Sequence, residues 1–320
     1  MQEETMSSTN PGLVYLMTGG CGFLGQHLLN VLLEKEQNVK EIRLFDKNID
    51  SSLEDLSTGT ENVINACKEL GIQHLLYTSS MEVIGPNVRG DTFIRGNEDT
   101  PYNVCHEMPY PKSKAEAEKL VLEANGTKVA GGASLYTCAL RPTGIYGENH
   151  QLMKDFYMMG VRTGGWLIKG VPRDTEHGRV YAGNVAWMHT LAAQALREHP
   201  ERLGGEAYFC YDDSPYKSYE EFNMQFLSAF NFRSLRMPLC VLWMLACLNE
   251  LLHWLLKPVR DFTPLLNRYT LAVATTSFTV RTDKALRHFN YRPLYDWQQC
   301  QARTQKWVDT FPLKTRGKDA

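Results

Sequence analysis

The sequence lacks an excess of charge of either sign. Its 320 residues include 34 Lys and Arg against 36 Asp and Glu, so the formal net charge at pH 7 is only −2. Proteins that grip the phosphate backbone of nucleic acid carry a basic patch or stripe, and this balance gives no such signature. We therefore expect no nucleic-acid partner. A chain of this length can bury a sizeable core in one large domain or two modest ones.

Cysteines paired at metal or disulfide spacing are also missing. The eight cysteines are scattered, with no CxxC pair and no His partner at zinc spacing. This pattern predicts no metal site and no disulfide framework, and it favours buried thiols in a reducing compartment. The first twelve residues, MQEETMSSTNPG, are polar and acidic where a secretory signal would be basic and then apolar, so we expect no cleaved signal.

A glycine-rich turn follows the first apolar run. LVYLMT (13–18) has strand length, GGCGFLG (19–25) comes next, and apolar residues then repeat at helical spacing. In such a strand–turn–helix unit, Gly19 and Gly22 let the backbone approach a pyrophosphate, and Gly25 permits close helix packing. The helix N-terminus offers free N–H groups to the anion. The order predicts a dinucleotide site, although glycine trios also occur in other tight turns.

An acidic residue ends the second predicted strand. EIRLFD (41–46) closes on Asp46, 21 residues after Gly25. A carboxylate at this place can accept hydrogen bonds from the adenosine ribose and repels a 2′-phosphate, which favours NAD over NADP. A solvated loop acid is the alternative, and Lys47 beside it weakens the preference for NAD.

A serine, a tyrosine and a lysine form a second group. HLLYTSS (74–80) is a short apolar strand that ends in hydroxyls, and YPKSK (110–114) opens a predicted helix. Tyr110 and Lys114 are four residues apart and share a helix face. An ammonium near a phenol favours phenolate and lowers its pKa, so Tyr110 is a candidate acid–base residue, and Ser80 would hydrogen-bond the reacting oxygen. Tyr and Lys at this spacing also occur on ordinary exposed helices.

Longer stretches resemble a known family. TGGCGFLG with YPKSK resembles the extended short-chain dehydrogenase/reductases. The stretches most similar to its 3β-hydroxysteroid dehydrogenase/Δ5-Δ4 isomerases are YTSSMEVIGPN (77–87), LYTCALRPTGIYGE (135–148), GRVYAGNVAWMH (178–189) and SYEEFN (218–223). RGNEDTPY (95–102) is most similar to the type 7 branch, which acts on C27 sterols of bile-acid synthesis. The resemblance covers most of residues 12–310. It implies oxidation of a 3β-hydroxy-Δ5 sterol by NAD to the 3-oxo-Δ4 product, at the endoplasmic reticulum membrane.

The resemblance also implies a role for each candidate residue. Tyr110 would accept the alcohol proton, Lys114 would lower its pKa and hold the nicotinamide ribose, and Ser80 would orient the oxygen. The residues expected to contact NAD are Gly19, Gly22, Phe23, Leu24, Gly25, Asp46, Lys114, Arg141 and Pro142. For Arg141 and Pro142, a strand-end ion pair and a turn proline are an equal alternative.

The implied fold is α/β, a Rossmann-like doubly wound parallel sheet. We expect an NAD-binding domain over residues 12–212 and a smaller substrate and membrane-associated part over 213–320. One loop and one helix, 61–71, fit between the second strand and the strand that carries Ser80, whereas the family has about 50 residues more here. The sequence therefore predicts a sheet without strands three and four, broken at Thr60/Glu61.

Two outcomes are expected for the broken sheet. If the strand with Ser80 slides into the vacant place, it moves by roughly 4.8 Å relative to the glycine turn, which would spoil the geometry for hydride transfer. If it stays, two unpaired strand edges face a gap in the middle of the sheet. Either outcome predicts weak folding or weak NAD binding.

One long apolar run stands out in the C-terminal part. MPLCVLWMLACLNELLHWLL (237–256) is long enough to cross a bilayer. Asn249, Glu250 and His253 fall close together on a helical wheel, so the helix either spans the membrane or lies in the interface with its polar edge outward. A buried core helix is a third interpretation. Because sterols partition into membranes, a membrane-facing helix fits the expected substrate.

Two other functions stay open at this point. A nucleotide-sugar epimerase or dehydratase uses the same turn and the same Tyr and Lys, although the apolar run argues against it. An inactive shortened form would keep the motifs but bind NAD poorly. Besides the sterol and the membrane, a second copy of the chain is a candidate partner.

Overall fold

The computed structural model describes residues 12–46, 56–256 and 266–312. Its strands are β1 (Leu13–Thr18), β2 (Val39–Phe45), β3 (His74–Thr78), β4 (Phe93–Gly96), β5 (Tyr136–Pro142), β6 (Gly144–Tyr146), β7 (Trp166–Lys169), β8 (Arg179–Tyr181), β9 (Glu206–Cys210), β10 (Arg233–Arg236) and β11 (Phe278–Val280). Its α-helices are α1 (Phe23–Lys35), α2 (Leu56–Leu70), α3 (Pro109–Glu123), α4 (Gln151–Arg162), α5 (Ala182–Glu198), α6 (Pro200–Leu203), α7 (Tyr219–Phe226), α8 (Leu239–Leu256), α9 (Arg268–Thr275), α10 (Lys284–Phe289) and α11 (Trp297–Val308). Short 3₁₀ helices cover Met81–Val83 and Ser228–Phe230.

All pairings between the named strands are parallel. β1 pairs with β2, and β3, β5 and β9 form a sheet in that order. Parallel neighbours need crossover connections, which α1 supplies between β1 and β2 and α3 supplies between β3 and β5. The predicted α/β fold with a parallel sheet is confirmed.

The nucleotide-binding sheet is divided between β1 and β3. Within the described ranges, no strand pairs with the second edge of β1 or with the second edge of β3. β3 has therefore not moved into the place beside β1. This agrees with the second of the two expected outcomes in that both edges are unpaired, while a gap between them stays a prediction.

Helix α2 extends further than the sequence predicts. We expected a helix over 61–71, and the structure has one over Leu56–Leu70, so Thr60 and Glu61 lie inside one continuous helix. Ile64 and Cys67 on this helix are buried in a cluster that includes Val121 of α3. Once a helix is packed in this way, adding residues at its start is cheap, because each added residue gains a hydrogen bond.

Helix packing joins the β1–β2 pair to the rest of the fold. α1 lies against α5, and a cluster of polar side chains joins the two parts near the C-terminal end of α5. The Tyr15 hydroxyl donates to Glu36 Oε2 at 3.0 Å, Gln194 Nε2 donates to the same oxygen at 3.0 Å, and Arg197 donates to the Tyr15 hydroxyl at 2.7 Å. The glycine turn is thus held through side chains rather than through a backbone ladder to β3.

Within the part of the chain that the structure describes, one face of the β1–β2 pair is uncovered. Val14, Leu16 and Phe45 are 51%, 60% and 62% exposed. The strands of parallel sheets are normally buried on both faces, because crossover helices cover them. An open apolar face beside an unpaired strand edge is what the loss of a covering crossover would leave.

The main core lies around β5, β9 and α5. Its buried members include Leu140, Val185, Met188, Tyr208 and Tyr291. This core supports the carboxyl ends of β3 and β5, where the candidate catalytic residues begin.

The C-terminal residues return to the N-terminal part. β11 pairs with β4, and Phe278 stacks on Phe93 with ring centroids 4.6 Å apart. The division of the chain after residue 212 stays a prediction.

We predict that a leucine on the open face contributes little to stability. Leu16→Ala should lower the free energy of unfolding by less than about 1 kcal/mol, because the side chain is already largely in water. The same change at Leu140, which is fully buried, should cost about 2 to 5 kcal/mol. Chemical denaturation of both variants measures the difference, and equal losses would show that the face around Leu16 is covered in solution.

Candidate active site

The glycine turn has the backbone that an anion site needs. Gly19 has φ +70°, in the left-handed region that favours glycine, and its amide donates to the Phe45 carbonyl at 2.8 Å. α1 starts at Phe23 after Gly22, which makes no side-chain cap hydrogen bond. A Cβ on Gly25 would lie 2.4 Å from the carbonyl oxygen of Gly19. The turn and the helix start therefore fit a pyrophosphate, and only glycine fits at position 25.

Asp46 lies directly beside this turn. Its Oδ2 accepts a hydrogen bond from the Cys21 amide at 2.8 Å, across 25 residues of sequence. The carboxylate thus braces the turn while remaining exposed. Its predicted contact with an adenosine ribose stays a prediction, and so do the predicted contacts of Phe23 and Leu24 with the cofactor.

Ser80, Tyr110 and Lys114 come together at the carboxyl end of β3. Ser80 is the N-cap of the 3₁₀ helix, and its hydroxyl accepts from the Glu82 amide at 3.2 Å. Tyr110 lies in the first turn of α3, which packs against this 3₁₀ helix, and the Ser80 side chain acts on the Tyr110 phenol. Lys114 Nζ donates to the Thr78 carbonyl at 2.8 Å and lies 5.0 Å from the centre of the Tyr77 ring.

The pKa of Tyr110 runs opposite to our expectation. Partial desolvation of the phenol, which is 46% exposed, raises this pKa above its ordinary value, the Glu82 carboxylate raises it further, and the Ser80 side chain lowers it. Burial likewise lowers the pKa of Lys114. The prediction of a lowered phenol pKa is wrong for these residues alone, because desolvation of the phenolate outweighs the favourable contacts.

Arg141 is engaged within the protein. Its guanidinium makes a two-pronged contact with Glu118 of α3, with Nη2 to Oε1 at 2.6 Å and Nε to Oε2 at 3.0 Å. This arrangement is the strand-end ion pair that the sequence left open as an alternative. Pro142 is buried at the end of β5. A contact of either residue with NAD stays a prediction.

Sequence reasoning missed three residues of the site. Glu118 follows Lys114 by one helical turn, and that spacing was the available signal. No sequence pattern marked the other two residues. They are Thr78, whose carbonyl accepts a hydrogen bond from Lys114, and Glu82, whose charge acts on Tyr110.

A cavity of about 870 Å³ opens beside the start of α3. Met108 and Pro109, directly before Tyr110, line one side of it, and α8 and α9 line the other. Trp243 and His253 of α8 and Tyr269 of α9 are among the lining residues. The cavity connects the neighbourhood of the candidate catalytic tyrosine with the long apolar helix.

Helix α8 presents apolar side chains outward and polar ones toward α9. Among the described residues it is the helix that is long and apolar enough to cross a membrane. Leu242 and Ala246 are buried, and Asn249 and Glu250 continue the same face, contacting the Leu266 carbonyl and Arg268. These polar groups have partners at the start of α9, but the Arg268 and Glu250 side chains are 62% and 30% exposed, so an outward polar edge stays a prediction. A buried core helix is ruled out, since most of its leucines are exposed.

Comparison with known proteins identifies a family. The 3-beta hydroxysteroid dehydrogenase/isomerase family matches in two segments, residues 16–58 and 56–241. The 3 beta-hydroxysteroid dehydrogenase type 7 of Mus musculus is 50% identical over 97% of this chain and 99% of its own length. The human protein of the same name is 50% identical over 92% of this chain and 95% of its own length.

A solved structure shows the same fold at low identity. The dTDP-glucose 4,6-dehydratase of Streptomyces venezuelae, solved with NAD bound, aligns with a TM-score of 0.63 at 15% identity. The alignment covers 93% of this chain and 97% of the dehydratase. At this identity the likeness speaks for the Rossmann-like fold alone.

The family matches also locate the break. The alignment with the mouse relative has 366 positions, and 97% of the 320 residues is about 310, so about 56 positions have no residue in this chain. The two segments of the family match meet at residues 56–58, at the start of α2, where the sheet is divided. Matched across both sides of that break, the chain belongs to the 3β-hydroxysteroid dehydrogenase/isomerase family.

Proposed function

We propose that this protein oxidises a 3β-hydroxy-Δ5 sterol with NAD, giving the 3-oxo-Δ4 product. The observation that carries the proposal is the meeting of Ser80, Tyr110 and Lys114 at the end of β3, in a chain that is half identical to the type 7 sterol enzymes. A nucleotide-sugar enzyme is disfavoured, since its likeness stands at 15% identity.

The three residues have distinct tasks in this reaction. Tyr110 accepts the proton of the 3β-hydroxyl, Ser80 orients the same oxygen through its hydroxyl, and Lys114 holds a positive charge nearby. Tyr110 must be deprotonated to act as a base, and its pKa is raised by burial. Oxidation should therefore become faster as the pH rises toward that pKa.

NAD is the cofactor in this proposal. It accepts the hydride that leaves the sterol carbon. Gly19, Gly22 and Gly25 would hold its pyrophosphate against the start of α1, and Asp46 would meet the adenosine ribose. Proximity and orientation are what the protein contributes.

The sterol would enter from a membrane. The outward apolar side of α8 and the cavity between α8 and Tyr110 support a route from lipid to the catalytic residues. Because the polar face of α8 is packed on α9, we place the helix against the bilayer surface rather than across it. A 7α-hydroxylated C27 sterol, a role in bile-acid synthesis, a homodimer and the endoplasmic reticulum membrane are further parts of the proposal.

A second candidate function follows from the divided sheet. The glycine turn on β1 and the catalytic residues on β3 belong to separate sheets. One cofactor must span both, and catalytic geometry tolerates only about 0.5 Å. On this view the chain is a shortened form, by exon skipping or an error in the gene structure, that keeps the motifs and binds NAD weakly.

Replacing Tyr110 with Phe should abolish sterol oxidation. The variant keeps the ring but loses the proton acceptor, so the rate should fall by about 100-fold or more. The measurement is mass spectrometry of the sterol and absorbance of NADH, after incubation with NAD. Tyr136→Phe, on β5, is the matched control and should keep full activity, and turnover of a nucleotide sugar in place of the sterol would overturn the proposal.

Replacing Gly25 with Ala should weaken NAD binding by about tenfold or more, because the new Cβ collides with the Gly19 carbonyl and opens the turn. Gly59→Ala is the control, since a Cβ there meets nothing within 4 Å. Calorimetric titration with NAD gives the affinities, in this chain and in one with the family segment restored at Thr60/Glu61. Equal affinity of the two parent chains would refute the second candidate function, and unchanged affinity of the Gly25 variant in both would place NAD elsewhere.

Leu251→Glu on α8 should reduce binding to phosphatidylcholine vesicles by about tenfold or more. The leucine is 51% exposed, and burying such a side chain in lipid contributes about 1.5 to 3 kcal/mol. Leu33→Glu on α1, at 64% exposure, is the matched control and should leave binding unchanged. Vesicle flotation measures both variants, and equal flotation would contradict a membrane contact through α8.

A further inference from the structure

A nearly buried ion pair lies one helical turn beyond Lys114. The side chains of Glu118 and Arg141 are 7% and 12% exposed. Three contacts of 2.6 to 3.2 Å join the carboxylate to the guanidinium, and Arg141 also lies over the Phe209 ring at 5.7 Å. Breaking a pair of this kind by removing one partner leaves a buried charge and is strongly destabilising.

The pair attaches α3 to the central sheet. Glu118 joins the helix to β5 through Arg141, and Lys114 joins it to β3 through the Thr78 carbonyl. β3 and β5 are neighbours, with Thr78 opposite Leu140. The two attachments are four residues apart, so they fix both the position and the rotation of the turn that carries Tyr110.

The pair also acts on the charge of Lys114. Burial lowers the pKa of Lys114, and the Glu118 carboxylate raises it. The proposed task of Lys114 needs a charged ammonium. Glu118 therefore offsets part of the desolvation of that ammonium, while Arg141 prevents Glu118 from becoming an unpaired buried charge.

Lys114 has few other titratable neighbours. From β3 the Tyr77 ring faces it, and from its own helix the Glu118 carboxylate, which binds Arg141 of β5, acts on it. From α5, His189 forms a hydrogen bond with the hydroxyl of Thr78, whose carbonyl accepts from Lys114. The Glu82 carboxylate of the 3₁₀ helix acts on Tyr110. His106, Lys119 and Glu123 line a cavity on the far side of Glu118.

We propose that Glu118, held by Arg141, is a positioning residue that places a negative charge one helical turn from Lys114 and fixes the part of α3 that carries Lys114 and Tyr110. The inference rests on the proposed function, since it concerns the same site. It gives Arg141 a task as the partner of Glu118. A plain structural tie between α3 and β5 is the competing explanation.

The direction in which the titration midpoint of Lys114 moves in a Glu118 variant distinguishes the two explanations. Competitive labelling with an acetylating reagent, followed by mass spectrometry, gives the pH dependence of the Lys114 amine. In Glu118→Gln the carboxylate charge is lost but the shape remains, so the labelling midpoint should move to lower pH and labelling near neutral pH should rise several-fold. If Glu118 were only a tie, loosening of α3 would hydrate Lys114 and move the midpoint to higher pH.

Two further variants complete the test. Glu123→Gln removes the exposed partner of Lys119 on the same helix and should leave the Lys114 midpoint unchanged. Arg141→Met leaves the Glu118 carboxylate with Lys114 as its remaining cation, so the midpoint should move to higher pH. An unchanged midpoint in both Glu118→Gln and Arg141→Met would overturn the proposal.

The labelling needs no NAD, sterol or turnover. An inactive parent chain with the expected shift would count against the proposed function alone. An active parent chain whose Glu118→Gln variant shows no shift would count against the positioning role alone. In an active chain, the fall of sterol oxidation at alkaline pH should begin at lower pH in Glu118→Gln than in Glu123→Gln.

Discussion

The pairing of parallel strands in the middle of the sheet is the constraint on which this protein depends. A Rossmann-like fold places the pyrophosphate turn at the end of the first strand and the catalytic residues on strands further along the sheet. Backbone hydrogen bonds between neighbouring strands normally fix that spacing. Here β1 and β3 share no such bonds, so the spacing rests on α1 packed against α5. The cofactor half and the catalytic half are each well formed, and the link between them is made of side chains.

The catalytic half is self-supporting. β3, β5 and β9 pair directly, α3 is attached to both β3 and β5, and the main core lies underneath. Within the described ranges, the break leaves an unpaired edge on β3 as well as on β1, and the open apolar face around Leu16 lies on the nucleotide side.

Local spacing in the sequence predicts the candidate site. Tyr110 and Lys114 share a helix face because they are four residues apart, and the Gly19–Gly25 turn lies within seven residues. Contacts between distant parts of the chain could not be predicted from local spacing. Glu118 and Arg141 are 23 residues apart, and Glu250 of α8 pairs with Arg268 of α9. The prediction of a lowered pKa for Tyr110 was wrong for the same reason, since desolvation is a property of the packed fold.

The sequence alone determined the family, the α/β class and the glycine turn, because each is carried by short-range pattern or by long matching stretches, and it predicted the catalytic group and a break at Thr60/Glu61. The tertiary structure decided three other matters. It left β1 and β3 unpaired, it paired Arg141 with Glu118, and it paired Glu250 of α8 with Arg268 of α9. Each depends on which surfaces meet when the chain folds, and a linear order of residues does not record how strongly distant groups desolvate or neutralise one another.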